Sequence, residues 1–184
     1  MPRKGRRGGW GQNFQGRPRL DGRRIDIGGL LFDARLDRVD STEDGRRIVI
    51  DYKTGAASPG AMLGERPDEP QLPLYLVGAE PDAAALAFAQ VKAGRMRFVA
   101  LARDDDLLPD TRAFSGSLYG GRFGSWRELV DAWRTDLART AAAFAGGDAR
   151  VDPKSYPETC RHCEVTPFCR IYERLENALD ENAR

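Results

Sequence analysis

The chain has 184 residues, 41% of them hydrophobic and 31% charged, with a net charge of +1 and three cysteines. That length has room for one compact domain with a real core but not for two full ones, and the composition is that of a soluble globular protein. No apolar run approaches the roughly 18 residues of a membrane span and no signal-peptide pattern opens the chain, so a cytoplasmic protein without membrane contact is expected.

The charge is unevenly placed. Residues 1–24 carry eight basic side chains against Asp21 alone, making that segment +7 and leaving −6 for the rest. A basic arm on a mildly acidic body suits an anionic partner such as nucleic acid. Up to Gly22 there are six glycines, two prolines and no hydrophobic period. Such a segment buries too little surface to offset its ordering entropy. Residues 1–23 are therefore expected to be a disordered arm and 24–184 the folded domain.

From about Gly29 the pattern alternates. Leu30, Phe32, Ala34 and Leu36 face one way and Asp33, Arg35 and Asp37 the other, as in a strand with one buried face. Ser41 to Gly45 supplies turn chemistry, and Arg47 to Lys53 is a second strand rich in β-branched residues. A three-residue loop, Glu43-Asp44-Gly45 with Gly45 in the left-handed conformation, gives a hairpin whose paired residue numbers sum to 88. In that register Asp37 lies opposite Asp51, with Lys53 two residues along the same face.

Thr54 to Pro70 reads as loop, and a helix is expected over Gln71 to Val77, with Pro70 and Pro73 in or before its first turn. Gln71 and Tyr75 are four apart and share a helix face. Ala84 to Val91 and Met96 to Ala102 read as strands joined across Gly94. Asp104 to Phe123 reads as loop. Ser125 is placed to cap a long helix reaching about Ala145, in which Trp126, Leu129, Val130, Trp133, Leu137, Ala141 and Phe144 recur at helical spacing, and Gly146-Gly147 ends it.

Two opposed carboxylates are destabilising without a counter-ion. Lys53 is one candidate and a divalent metal the better one. Phosphodiester hydrolysis needs a metal to neutralise developing charge and supply hydroxide near neutral pH. Mg²⁺ takes oxygen ligands and keeps several waters, so Asp37, Asp51 and the carbonyl of Tyr52 suffice, with Lys53 placed to hold the attacking water or stabilise charge on the phosphate. Spacing alone also fits a solvent-facing strand with alternating charges. Val49, on the face of Asp51, points to partial burial there.

Three stretches, Asp37-Arg38-Val39-Asp40, Val49-Ile50-Asp51-Tyr52-Lys53-Thr54-Gly55 and Gln71-Leu72-Pro73-Leu74-Tyr75, together resemble the PD-(D/E)xK nuclease superfamily in its RecB-like branch, in particular the C-terminal nuclease domain of AddB-type helicase-nuclease and DNA-repair proteins. Gly64-Glu65-Arg66-Pro67, Glu69-Pro70-Gln71 and Asp152-Pro153-Lys154 add to the resemblance, which spans about Leu30 to Glu173. It implies an α/β, restriction-endonuclease-like core with a central mixed β-sheet flanked by helices, and a C-terminal cysteine-cluster segment. It also implies metal binding by Asp37 and Asp51, assistance by Lys53, and a supporting role for Gln71 and Tyr75 beside the site. The expected function is Mg²⁺-dependent hydrolysis of DNA in recombination or double-strand-break repair, with a helicase-nuclease partner subunit. A catalytically incomplete DNA-binding or structural module of the same fold is the alternative.

Cys160-x2-Cys163-x5-Cys169 has the close spacing of a metal or iron–sulfur ligand set. His162 lies between two of the cysteines and is a candidate only for zinc. In iron–sulfur RecB-like nucleases three C-terminal cysteines join a fourth upstream to hold a 4Fe-4S cluster. Here no upstream cysteine exists, and the only histidine is His162. Relatives of this branch carry a histidine before the first strand, so the chain is expected to be a shortened copy of a larger protein.

Overall fold

A computed structural model describes residues 15–94, 96–117, 119–171 and 173. The chain divides into two compact units, Met1–Ala145 and Gly146–Arg184. The first is a five-stranded sheet in the order β1-β2-β3-β4-β5, formed by β1 (Gln15–Ile27), β2 (Leu30–Ser41), β3 (Arg47–Lys53), β4 (Ala85–Gln90) and β5 (Arg97–Ala102). Neighbours pair antiparallel except β3 and β4, which are parallel. The predicted mixed sheet flanked by helices is present.

The hydrophobic pattern decides which face each strand offers. In β3 and β4, Val49, Leu86 and Phe88 point to the side where α1 (Gln71–Gly78) and α2 (Trp126–Ala145) pack, and join Leu72, Leu76, Leu129 and Trp133 in the main core. Ile48, Ile50, Ala85 and Ala87 point to the other side, where Leu107 and Leu108 cover them. β3 is thus buried on both faces, which explains its continuous apolar run. The segment after β5 forms no long element, as expected, yet supplies part of the cover.

The β2–β3 hairpin has the predicted register. Arg38 pairs with Ile50, Val39 with Val49 and Asp40 with Ile48. Gly45 has φ +82°, and the Thr42 N–H donates to the Arg46 carbonyl at 2.9 Å across the loop. The long helix is capped as expected, the Glu128 N–H donating to Ser125 Oγ at 3.2 Å.

Two expectations need correction. Residues 15–23 belong to β1, not to a disordered arm, whose residues 1–14 lie outside the described set. A strand at a sheet edge is held by backbone pairing and needs no apolar alternation, and Gly28-Gly29, both at positive φ, make its tight turn into β2. Gly28 is required there for a second reason: a Cβ would lie 2.5 Å from the Ala138 carbonyl oxygen of α2. The second correction concerns alternation. Ala34 and Leu36 are buried, but Phe32 is 36% exposed, as is Phe144 at the end of α2 at 73%. Leu36 and Val39 both join the helix-side core, so the simple alternation of β2 is broken between them.

Glu80, just past α1, is buried, and its carboxylate is clamped by Arg23 at 2.9 Å and Arg47 at 2.5 Å. The clamp ties β1 and β3 to the end of α1. No helix among the described residues is long and apolar enough to cross a membrane.

Candidate active site

The site lies where β2 parts from β3. Their ladder ends at Arg38–Ile50, and the next hydrogen-bonded rung would have joined Leu36 to Tyr52. Instead, the Tyr52 N–H donates to Asp37 Oδ2 at 3.1 Å. A carboxylate takes the place of the missing rung, which fixes Asp37 beside the end of β3.

Asp51 is 4% exposed, and its Oδ2 has no hydrogen-bond partner among the described residues. Lys53 Nζ stands 3.4 Å from that oxygen, at ion-pair distance but without hydrogen-bond geometry. Burial raises the Asp51 pKa above the ordinary carboxylate range; Lys53 opposes the rise and the neighbouring Asp37 adds to it. A buried anion facing a second anion is a poor structural device and a good cation site.

Lys53 carries a different balance. Burial works to lower its pKa, but the hydrogen bond to Glu69 Oε2 at 3.0 Å and the charges of Asp51 and Glu69 raise it overall. Its ammonium also lies 5.5 Å from the centre of the Phe88 ring. Lys53 is therefore a fixed cation and hydrogen-bond donor at neutral pH. A pocket of about 170 Å³ opens beside Lys53 and Glu69, walled by Ala57, Ser58, Ala61 and Phe88.

Glu69 and Phe88 are the residues that sequence reasoning missed. Glu69 ends the loop after β3 and is positioned by its N–H, which donates to the Ala61 carbonyl at 2.8 Å. Its signal was its place two residues before Gln71. Phe88 sits on the rung of β4 paired with Asp51, and nothing in its apolar strand distinguishes it by sequence.

Gln71 and Tyr75 share a face of α1, as predicted. Gln71 Nε2 donates to the Tyr75 hydroxyl at 2.9 Å, and that hydroxyl donates to the Arg35 carbonyl at 2.7 Å. The pair acts on the backbone that precedes Asp37. Tyr52 keeps its ring exposed, with its hydroxyl 3.4 Å from Arg38 Nη1, while Arg38 grips the buried Asp40 at 2.6 and 2.8 Å.

The donor set suits a divalent cation: two carboxylates in reach of one another, one with an orphaned buried oxygen, beside the Tyr52 peptide. The cysteines do not make a comparable set. Cys160 ends a short 3₁₀ turn (Glu158–Cys160), Cys163 is exposed, and Cys169 closes α3 (Thr166–Cys169), its Sγ 3.4 Å from the Thr166 carbonyl. Among the described residues no three His, Cys, Asp or Glu side chains converge to hold an ion.

Comparison with known proteins bears on the family of the chain. No curated protein matches the chain. Among solved structures it is similar to the crystal structure of SSO0001, with a TM-score of 0.44 and 15% identity over 84% of this chain and 59% of that one. The chain thus spans less than two thirds of that protein's length. The family model of the PD-(D/E)XK nuclease superfamily matches residues 7–170. This match covers the whole sheet, both long helices and every site residue named above, and the chain belongs to the PD-(D/E)XK nuclease superfamily.

Proposed function

We propose that the chain is a Mg²⁺-dependent deoxyribonuclease domain of the RecB-like, AddB-type branch, hydrolysing DNA phosphodiester bonds in recombination or double-strand-break repair beside a helicase-nuclease partner subunit. The observation that carries the hydrolytic reading is the buried Asp51 carboxylate, with one oxygen orphaned, set against Asp37 and Lys53. The branch, the repair role and the partner rest on the resemblance of the three sequence motifs.

Asp37, Asp51 and the Tyr52 carbonyl would hold the metal, which when bound neutralises charge on the phosphate and makes hydroxide available near neutral pH. The protein's own contribution follows from its geometry. Lys53, held protonated by Glu69 and Asp51, cannot accept a proton from water; its Nζ–H groups donate to the attacking water or to a non-bridging phosphate oxygen. Asp37 is fixed by the Tyr52 N–H, and α1 holds the backbone before it through Tyr75. Burial of Asp51 against Phe88 lowers the local dielectric, so charges there act more strongly than in water.

The cysteine segment does not fit a four-cysteine cluster formed within this chain: it offers three thiols and no fourth. No catalytic step involves it.

Purified chain incubated with Mg²⁺ and linear DNA should release fragments, and Asp51→Ala should abolish the release. Cleavage that persists in Asp51→Ala would refute the assignment, and wild-type protein that binds DNA without cutting it would favour the non-catalytic module.

A further inference from the structure

We infer that the groove between β5 and residues 110–117 is a subsite for one unpaired nucleotide next to the cleaved bond. Arg97 and Arg112 hold its flanking phosphate, the Ala100 peptide meets the base edge, and the Tyr119 hydroxyl bonds the strand where it leaves the catalytic pocket. This rests on the nuclease reading and adds to it the residues that position the strand.

Position is the first argument, because two rungs of the sheet lead from the site to this groove. Asp51 pairs with Phe88 and Phe88 with Val99, while Lys53 pairs with Gln90 and Gln90 with Arg97. Residues directly opposite one another share a face, so Val99 and Arg97 stand on the side of the sheet that bears Asp51 and Lys53, two strands or roughly 10 Å away. Both line a groove of about 480 Å³ along the outer edge of β5. Ala57 and Ser58 wall this groove and also the pocket beside Lys53 and Glu69. The two cavities are therefore neighbours across Ala57 and Ser58, and a strand lying over Asp51 and Lys53 passes next into the groove.

Unused bonding groups are the second. Arg112 is exposed, and among the described residues its guanidinium makes neither an ion pair nor a hydrogen bond. Arg97 engages its Nε–H alone, with Gln90 Oε1 at 3.0 Å. Asp110, the acid on the groove wall, pairs with neither arginine. The Arg103 N–H donates to the Ala84 carbonyl at 2.7 Å, which sets the alternation along β5: Arg97, Val99 and Leu101 bond β4, and the N–H and carbonyl of Ala100 turn outward into the groove. The next segment meets β5 at an isolated bridge from Ala113 to Ala102 and leaves the Ala100 groups without a backbone partner among the described residues. A Cβ added at Gly60 would lie 3.1 Å from the Tyr119 hydroxyl and 3.5 Å from Ser58 Oγ, so that hydroxyl stands where the two cavities adjoin.

Chemistry narrows the ligand. Two cations without carboxylate partners favour a phosphate-bearing chain over a neutral one. A peptide N–H beside its own carbonyl offers one donor and one acceptor, the complement of a base edge. In a duplex that edge is taken by the pairing partner, whereas an unpaired base presents it. A cavity of this size takes a single small ligand.

Arg112→Gln and Tyr119→Phe test the inference, the first at an exposed position and the second removing a single oxygen. Binding of a fluorescein-labelled single strand in EDTA, read by anisotropy across a salt series, reports on the groove without cleavage. Arg112→Gln should flatten the slope of log K against log salt by about 0.7, and Arg112→Lys should restore it. Arg127→Gln, which removes an exposed charge of α2 outside the groove, should leave the slope unchanged. Tyr119→Phe should weaken binding about fivefold, the loss of one hydrogen bond. Both losses should be smaller on blunt duplex, and equal losses there overturn the assignment to an unpaired nucleotide. A slope unmoved in Arg112→Gln, or flattened as much in Arg127→Gln, overturns the groove. Wild-type protein that shows the expected binding but cuts no DNA with Mg²⁺ overturns the nuclease reading and leaves the groove a nucleotide site.

Discussion

The Tyr75 hydroxyl bonds the Arg35 carbonyl at 2.7 Å, two residues ahead of Asp37, and so α1 holds the strand that presents a candidate metal ligand. Tyr75→Phe removes that bond and should lower stability by about 1 kcal/mol, seen in urea denaturation. Cleavage at limiting Mg²⁺ should fall roughly tenfold, a loss worth about 1.4 kcal/mol, and recover in part as Mg²⁺ is raised, because the ligand is displaced rather than removed. Gln71→Ala, which acts through Tyr75, should add little to the double variant.

Asp51 should show the opposition between function and stability. Its pKa is raised in the fold, so stability is lost as pH rises from the unfolded carboxylate range through the folded value. Asp51→Asn should abolish cleavage, gain about 0.5–2 kcal/mol at pH 7 and remove the part of the stability loss that accompanies the rise of pH through the Asp51 titration. Mg²⁺ should raise the Tm of the wild type, chelation with EDTA should reverse the gain, and the variant should respond to neither.

Glu69 should set the alkaline limit of the reaction. The Lys53 pKa is raised, with Glu69 the leading contributor to the rise, so the ammonium persists until pH exceeds the folded value. Glu69→Gln should move the alkaline limb of the kcat profile to lower pH while sparing activity near pH 7. Lys53→Gln should remove activity across the range, by roughly 100-fold or more. An unmoved alkaline limb in Glu69→Gln would show that Lys53 titration does not control the rate.

Trp133 joins the core of α2 to the loop that delivers Glu69: its buried Nε1–H donates to the Met62 carbonyl at 2.7 Å. Trp133→Phe leaves that carbonyl unsatisfied and the site underfilled, and should cost about 2–4 kcal/mol by chemical denaturation. The same change should slow cleavage although Trp133 touches neither carboxylate.

Local chemistry made much of the site readable in the sequence. The Glu43-Asp44-Gly45 loop and the parity of Asp37 and Asp51 were enough to set the hairpin register, because a one-residue slip would have turned Val49 out of the core. Gln71 and Tyr75 fell on one face because four residues make about one helical turn. β1 escaped detection because edge pairing is carried by backbone groups that every residue has. Glu69 escaped because its partner lies across a loop whose path no local rule dictates. The cysteine spacing promised a ligand set, yet spacing limits only how far apart thiols can be, and these three do not converge among the described residues.

The early end of the β2–β3 ladder has a mechanical consequence. Asp51 and Lys53 stand on β3, packed on both faces and paired on both edges up to that point. Asp37 stands on a stretch of β2 that has left β3 and pairs on through β1. The two carboxylates are therefore held by different means, Asp51 by a strand packed on both faces and Asp37 by the Tyr52 N–H and the Tyr75 bond to Arg35. Losing either of those two hydrogen bonds alters the setting of Asp37 while leaving the strand of Asp51 and Lys53 intact.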